Sequence, residues 1–279
     1  MGTKIEWCSE VWNVVTGCTP ISEGCEHCWA ERMAKRLRGR HGYPADEPFR
    51  VTLHSDRLDQ PLCWRKLRRV FVCSMGDLFH ADVPLEFIDD VFRMMMLAPK
   101  HQYLILTKRP TRMYQFVVDC ETEALERAWL GTTVESAKHL DRIDVLRDCP
   151  AAIRWLSCEP LLGPLDNLNL QGIHWVVVGG ESGPGARPMH PDWARGVRDQ
   201  CVAAGVPFFF KQWGQWQPWA DTYTRQAGWR YVSYRDGLAR VGPPEDRDAA
   251  MQTVGKKAAG RILDGRTWDQ YPAAGGEGA

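Results

Sequence analysis

Short, uninterrupted apolar runs alternate with helical segments from residue 70 to residue 213, and no other feature restricts the fold so sharply. Val70-Phe71-Val72-Cys73-Ser74, Tyr103-Leu104-Ile105-Leu106-Thr107, Trp129 to Val134, Ile153 to Ser157, His174 to Val178 and Pro207 to Phe210 have strand length and little polar alternation. That is the pattern of strands covered on both faces. Pro84 to Leu97, with proline at its first turn and acids early, reads as a helix, as do Ser136 to Arg147 and Pro191 to Ala204. Strand–helix–strand units imply a parallel sheet, and right-handed crossovers curl it one way. About six to eight such units predict an α/β chain folded as a partial or complete TIM-like barrel. A flat doubly wound sheet is the alternative, but no Gly-x-Gly-x-x-Gly follows the first strand, which weakens a dinucleotide-binding reading.

Ahead of these units, Val11 to Thr16 reads as a strand that ends at Gly17 and delivers Cys18. Trp29 to Arg38 reads as a helix ended by Gly39, Arg50 to His54 as a short strand, and Leu58 to Arg69 as a helix rich in basic residues. Beyond Trp213 the composition changes. Trp229 to Tyr234 and Leu238 to Val241 flank Arg235-Asp236-Gly237 as a hairpin, and Lys256 to Leu263 reads as one more helix. The expected organisation is a barrel over 1–214, a hairpin-and-helix extension packing on it over 215–272, and a disordered glycine-rich tail over 273–279.

Cys18, Cys25 and Cys28 stand at spacing C-x6-C-x2-C on a turn-rich loop between the first strand and the first helix. Three thiolates hold a metal well, and an odd number leaves a coordination position open. With ten cysteines, no apolar run of membrane-spanning length and no apolar core of a signal peptide, the chain reads as cytoplasmic, with thiols for metal or core. Two metal readings compete on spacing alone. Cys8 or His27 would close a zinc site, whereas an iron–sulfur cluster would leave one iron free for a ligand. The other six cysteines read as ordinary core or loop residues. The 35 basic and 35 acidic residues cancel, so any polyanion must be met by a local patch, such as the basic helix around Arg32, Lys35, Arg36, Arg38 and Arg40. Trp213, Trp216, Trp219 and Trp229 serve packing or a base-stacking platform.

Strand after strand ends in a charged or metal-binding residue: Cys18, Asp77, Lys108, Glu135, Glu159, Glu181 and Lys211. Carboxyl ends of parallel strands share one rim, where ligands bind, so these residues predict a mixed-charge site for a zwitterion or a nucleotide. Gly179-Gly180-Glu181-Ser182-Gly183, after a buried strand, would let the backbone approach a phosphate, ribose or adenine closely.

The cysteine triplet in front of a β/α barrel resembles the radical S-adenosylmethionine (SAM) superfamily. More narrowly, Thr16-Gly17-Cys18 with Cys25 and Cys28, Leu106 to Pro110, Ser157 to Leu161, Val178 to Gly183, Phe210 to Gly214 and Gly255 to Arg266 resemble a phage-encoded three-cysteine-motif family of largely uncharacterised function. The superfamily's usual spacing is C-x3-C-x2-C with an aromatic before the last cysteine; here the first gap is six, and Trp29 follows Cys28. The resemblance implies that Cys18, Cys25 and Cys28 ligate three irons of a [4Fe–4S] cluster while SAM chelates the fourth. One-electron cleavage of SAM would then yield a 5′-deoxyadenosyl radical, fed by an external flavodoxin- or ferredoxin-like donor. It further implies SAM contacts at Asp77, Glu135, Gly179, Gly180 and Glu181, with Lys108, Glu159 and Lys211 facing substrate.

Three function classes follow. The first is radical modification or isomerisation of a nucleobase substituent, as in phage hypermodification of thymine-derived bases. The second is radical chemistry on a small metabolite or peptide. The third is a zinc-stabilised partner protein without activity. None requires a membrane, and the sequence is silent on oligomeric state.

Overall fold

The computed structural model describes residues 3, 5–120, 122–219, 229–241 and 244–273. In chain order the strands are β1 (Glu10–Trp12), β2 (Val15–Thr16), β3 (Thr52–Leu53), β4 (Arg69–Val72), β5 (Gln102–Thr107), β6 (Ala128–Thr133), β7 (Ile153–Cys158), β8 (Trp175–Gly179) and β9 (Phe208–Gln212). The set closes with β10 (Trp216–Pro218), β11 (Trp229–Val232), β12 (Ala239–Arg240) and β13 (Ala249–Thr253). The helices are α1 (Trp29–Leu37), α2 (Gln60–Cys63), α3 (Leu85–Leu97), α4 (Pro110–Val117), α5 (Thr122–Leu125), α6 (Asp141–Asp148), α7 (Pro191–Ala203) and α8 (Lys256–Ala259).

Seven strands form one sheet in the order β1-β4-β5-β6-β7-β8-β9, every neighbouring pair parallel. β1 and β9 stand at the two ends of this order and are not paired with each other, so the sheet is a partial barrel, the open form of the expected architecture. The period of two sorts its side chains. Val70, Val72, Tyr103, Ile105, Leu130, Leu156, Val176, Val178, Phe208 and Phe210 pack outward against α3, α4, α6 and α7. Leu104, Trp129, Trp155, Trp175, Val177 and Phe209 face inward, and Trp7 and Tyr271 join them from the two chain ends. Trp7 meets Trp155 and Trp175 edge-on at 5.3 and 6.3 Å, and Tyr271 stacks on Trp175 at 5.3 Å. Each such pair adds about 0.5–1.5 kcal/mol beyond area burial. Gly131 makes room for this layer, since a Cβ there would lie 2.4 Å from the Trp155 ring.

Several expected boundaries change. Residues 11–16 are not one strand: Asn13 accepts from Ser74 Oγ and Met75 N, the chain bends, and β2 pairs antiparallel with β3 in a separate two-stranded sheet. The helix expected from Leu58 to Arg69 shrinks to α2, because Arg65 to Arg68 carries no apolar stripe and the chain must extend into β4. The helix expected from Ser136 begins with a 3₁₀ turn, Ala137–His139, and α8 ends at Ala259 because Gly260 takes a φ of 67°.

The hairpin forms as β11–β12 and belongs to a four-stranded antiparallel sheet ordered β10-β13-β11-β12. That sheet shares the barrel's outer core through Val232 and Met251, and Leu263, past α8, joins the same core. Three of the clustered tryptophans serve packing: Trp213 and Trp229 are buried, and Trp216 packs against the core while its indole donates to Ala186 O at 2.7 Å. Residues 274–279 of the glycine-rich end lie outside the described residues. No helix among the described residues is long and apolar enough to cross a membrane.

Candidate metal centre

β2 ends at Thr16, and Gly17, at φ 86°, turns the chain over the rim. A Cβ at Gly17 would lie 2.2 Å from Arg50 O, so the position requires glycine. Cys18 N then donates to Phe49 O, a 3₁₀ turn over Glu23–Cys25 brings in Cys25, and Cys28 stands at the start of α1. All three thiols are free and partly buried.

Three rim carboxylates grip this loop, each from a different strand end. Asp77 accepts from Thr107 Oγ1 at 2.7 Å and pairs with Arg109 at 2.9 Å; the same guanidinium nitrogen lies 3.4 Å from Cys18 Sγ, while its other terminal nitrogen donates to Thr19. Glu135, fully buried, accepts from Ser22 Oγ at 2.5 Å and pairs with Lys108 at 2.8 Å and Arg142 at 2.9 Å. Glu181 pairs with His27 at 2.9 Å and Arg187 at 2.7 Å, and Arg187 continues to Glu26 and to Glu23 O. Glu23 in turn accepts from Ser136 Oγ and His139.

These networks set the charges. Burial works to raise the Glu135 pKa, but Lys108, Ser22 and Arg142 outweigh it and hold the carboxyl below the usual range. Glu181 behaves alike, with Arg187 and His27 overcoming burial. Burial pushes the Cys18 thiol up to about 11, with Asp77 adding to the rise and Arg109 opposing it. Cys28 is also raised by burial, against the amides at Glu31 and Ala30. Without metal these two thiols are protonated near neutral pH, so a metal would displace their protons.

The seven rim residues therefore do not form one site. Cys18, Asp77, Lys108, Glu135 and Glu181 belong to the loop and its anchors. Glu159 and Lys211 pair with each other at 2.7 Å on the inner face, where Ser157 donates to Glu159 and the Lys211 ammonium lies 5.8 Å from the Trp7 ring. Gly179 leaves space for that pair, since its Cβ would stand 2.9 Å from Glu159 Oε1. Beside Gly180 the space is filled by backbone: a Cβ would lie 2.0 Å from Trp213 O. Gly183, at φ 99°, packs against Arg32, so this glycine-rich turn docks α1. Cys8 lies in the inner core beside Trp7, before β1, whereas Cys18 lies past the strands' carboxyl ends. Sequence reasoning gave no role to Ser22, Arg142 or Arg187, and saw Arg109 only inside a motif; no periodicity marks them.

Among the described residues, no group of three or more His, Cys, Asp or Glu side chains is arranged to hold a metal ion. The donor chemistry nonetheless fits a thiolate-ligated group. Cys25 interacts electrostatically with both Cys18 and Cys28, and Arg109 and Lys108 supply positive charge beside them. Ser182 Oγ and Arg32 Nη1 are buried next to the loop without a hydrogen-bond partner, and a polar ligand group would satisfy both.

A family model described as a protein of unknown function (DUF5131) matches residues 2–272. No curated protein matches the sequence. Among solved structures, a spore photoproduct lyase double mutant with bound AdoMet and dinucleoside spore photoproduct is 10% identical over 61% of this chain and 55% of that one, with a TM-score of 0.43. The chain thus spans about half the length of that protein. Spore photoproduct lyase complexed with dinucleoside spore photoproduct is 8% identical over 88% of this chain and 68% of that one (TM-score 0.45). A cysteine-to-serine mutant of the lyase is 12% identical over 91% and 71% (TM-score 0.47). Likeness at this level assigns neither activity nor residues.

Proposed function

The chain belongs to the DUF5131 family, and we propose that it is a radical SAM enzyme in which Cys18, Cys25 and Cys28 hold a [4Fe–4S] cluster. The observation that carries this reading is the grip of Asp77–Arg109, Glu135–Lys108 and Glu181–Arg187 on a three-thiol loop at the carboxyl rim of a parallel half-barrel. A loop tied to three strand ends keeps its thiols in place while a fourth coordination position stays open to SAM. When bound, the cluster and SAM together supply one-electron cleavage and a radical, with the electron drawn from an external flavodoxin- or ferredoxin-like donor.

The chain's own residues orient and shield. Arg109 and Lys108 offset thiolate charge, as do the first amides of α1 beside Cys28. Asp77 and Glu135 hold those cations, Glu181 holds Arg187 and His27, and together they fix the loop and support the SAM site from beneath with the Gly179–Gly180 turn. Ser182 Oγ and Arg32 Nη1 are free to bind polar groups of SAM. Glu159 and Lys211, paired on the inner face, face the substrate, which we read as nucleotide-like, with modification or isomerisation of a nucleobase substituent on phage DNA as the reaction.

Anaerobic reconstitution followed by absorbance and electron paramagnetic resonance, with and without SAM, tests the reading. About four irons per chain and a spectrum that changes with SAM are expected. Cys18→Ser, Cys25→Ser and Cys28→Ser should each lose the cluster, and Cys8→Ser should keep it. A colourless protein carrying one zinc would end the enzyme reading. Nucleosides digested from DNA of expressing cells, unaltered even alongside the neighbouring phage genes, would move the substrate to a small metabolite or peptide.

A further inference from the structure

We propose that the cleft between the amino ends of α4 and α6 is a phosphate-binding site. The cleft has a volume of about 420 Å³, and Lys108, Arg109, Arg112 and Arg142 line it against one carboxylate, Asp141. Three of the cations have acidic partners behind the cleft: Lys108 and Arg142 share Glu135, and Arg109 holds Asp77. Arg112 differs. Its guanidinium donates to His80 O and to Val83 O, and it makes no ion pair among the described residues. These two carbonyls engage one N–H on each terminal nitrogen and leave its remaining donors and its full charge in place, in a half-buried position where an uncompensated cation is costly. The α4 dipole adds positive potential at the same end.

A phosphoryl group offers several acceptor oxygens and a charge of one or two, which suits converging guanidinium and ammonium donors better than a single carboxylate does. The volume leaves room for a nucleoside attached to that phosphate. The cleft also adjoins the cysteine loop through shared residues, since Arg109 lines it and bonds Cys18 Sγ at 3.4 Å. That the phosphate belongs to the substrate of a radical reaction rests on the function proposed above; that the cleft binds phosphate does not.

The test is equilibrium binding of two fluorescent probes, thymidine monophosphate and a short single-stranded DNA lacking terminal phosphate, to the full chain before and after cluster reconstitution. Binding should weaken with salt and fall about tenfold or more in Arg112→Gln, the scale of one lost charge-assisted hydrogen bond. Gln115→Glu adds a like-sign repulsion from an exposed lining position and should weaken binding without disturbing the fold. Arg93→Gln on α3 should bind as wild type. Binding of DNA alone assigns the site to an internal phosphodiester, and binding of the monophosphate alone to a free nucleotide. No binding of either probe, or equal binding by wild type and both cleft variants at unchanged melting temperatures, overturns the site. If binding depends on Arg112 while no cluster can be reconstituted, the site stands and the radical reading falls.

Discussion

One terminal nitrogen of Arg109 lies 3.4 Å from Cys18 Sγ and 2.9 Å from Asp77 Oδ2, so a single guanidinium couples a loop thiol to a buried carboxylate. The coupling matters because Cys18 and Asp77 repel as anions, and Arg109 is the charge between them. It makes the first thiol of the loop depend on a residue at the end of β5.

Arg109→Ala should destabilise the fold by about 2–3 kcal/mol. That is below the roughly 3–5 kcal/mol for stranding a buried charge, because Thr107 and the Phe79 amide still donate to Asp77. Arg109→Lys keeps the charge but loses the fork to Thr19, and should recover part of the loss. Chemical denaturation measures the stability, and iron bound on reconstitution reads the loop. A lysine variant no better than alanine in both would refute the role given to charge.

Glu135→Gln leaves Lys108 and Arg142 facing one neutral amide in a fully buried position. The expected cost is about 3–5 kcal/mol. Combining it with Lys108→Met should cost clearly less than the two single changes added together, because one stranded cation is removed. Additive losses in a double-mutant cycle would show that the two side chains do not act as a pair.

The outer architecture was legible because burial on both faces writes itself into composition: Val176-Val177-Val178 admits no polar alternation. The bend at Asn13 was not, because it depends on contacts to Ser74 and Met75, about sixty positions away. In the small sheet, β10 contains a proline and β13 begins with two alanines, so neither carries a β-branched pattern. At the site, the charged strand ends were visible as a set, while their partners were not. His27 and Glu181 lie 154 positions apart, and only the closed geometry of the rim brings them together.

Buried and half-buried histidines make stability sensitive to mild acid. His54, His80, His101, His174 and His190 all have their pKa lowered below the ordinary value of about 6.5, chiefly by burial. His80 and His190 accept a backbone amide at Nδ1, which a protonated ring cannot do. The unfolded chain then binds more protons than the folded one, so stability is full above about pH 6.5 and falls as pH drops toward the folded values. Melting temperature should decline from about pH 7 to about pH 5, before most carboxylates titrate. His190→Asn keeps an acceptor for the α7 cap and should flatten part of that slope. A melting temperature constant over this range would contradict the account.

Two glycines should respond to alanine with opposite signs. At Gly180 a Cβ would stand 2.0 Å from Trp213 O and 2.7 Å from its carbonyl carbon, both backbone atoms of the neighbouring strand end. Relief requires β8 and β9 to part just where Gly180 N donates to Gln212 O, so Gly180→Ala should cost about 3 kcal/mol or more, at the upper end of overpacking penalties. Gly196 sits inside α7 with nothing within 4 Å of its added Cβ. There alanine restricts the unfolded chain and favours the helix, so Gly196→Ala should stabilise by about 0.5–1 kcal/mol. Urea denaturation of the two variants beside wild type measures both shifts. If Gly180→Ala matched wild type, the backbone contact that docks the glycine turn against Trp213 would not be as close as it stands here, and the turn would have room for a ligand after all.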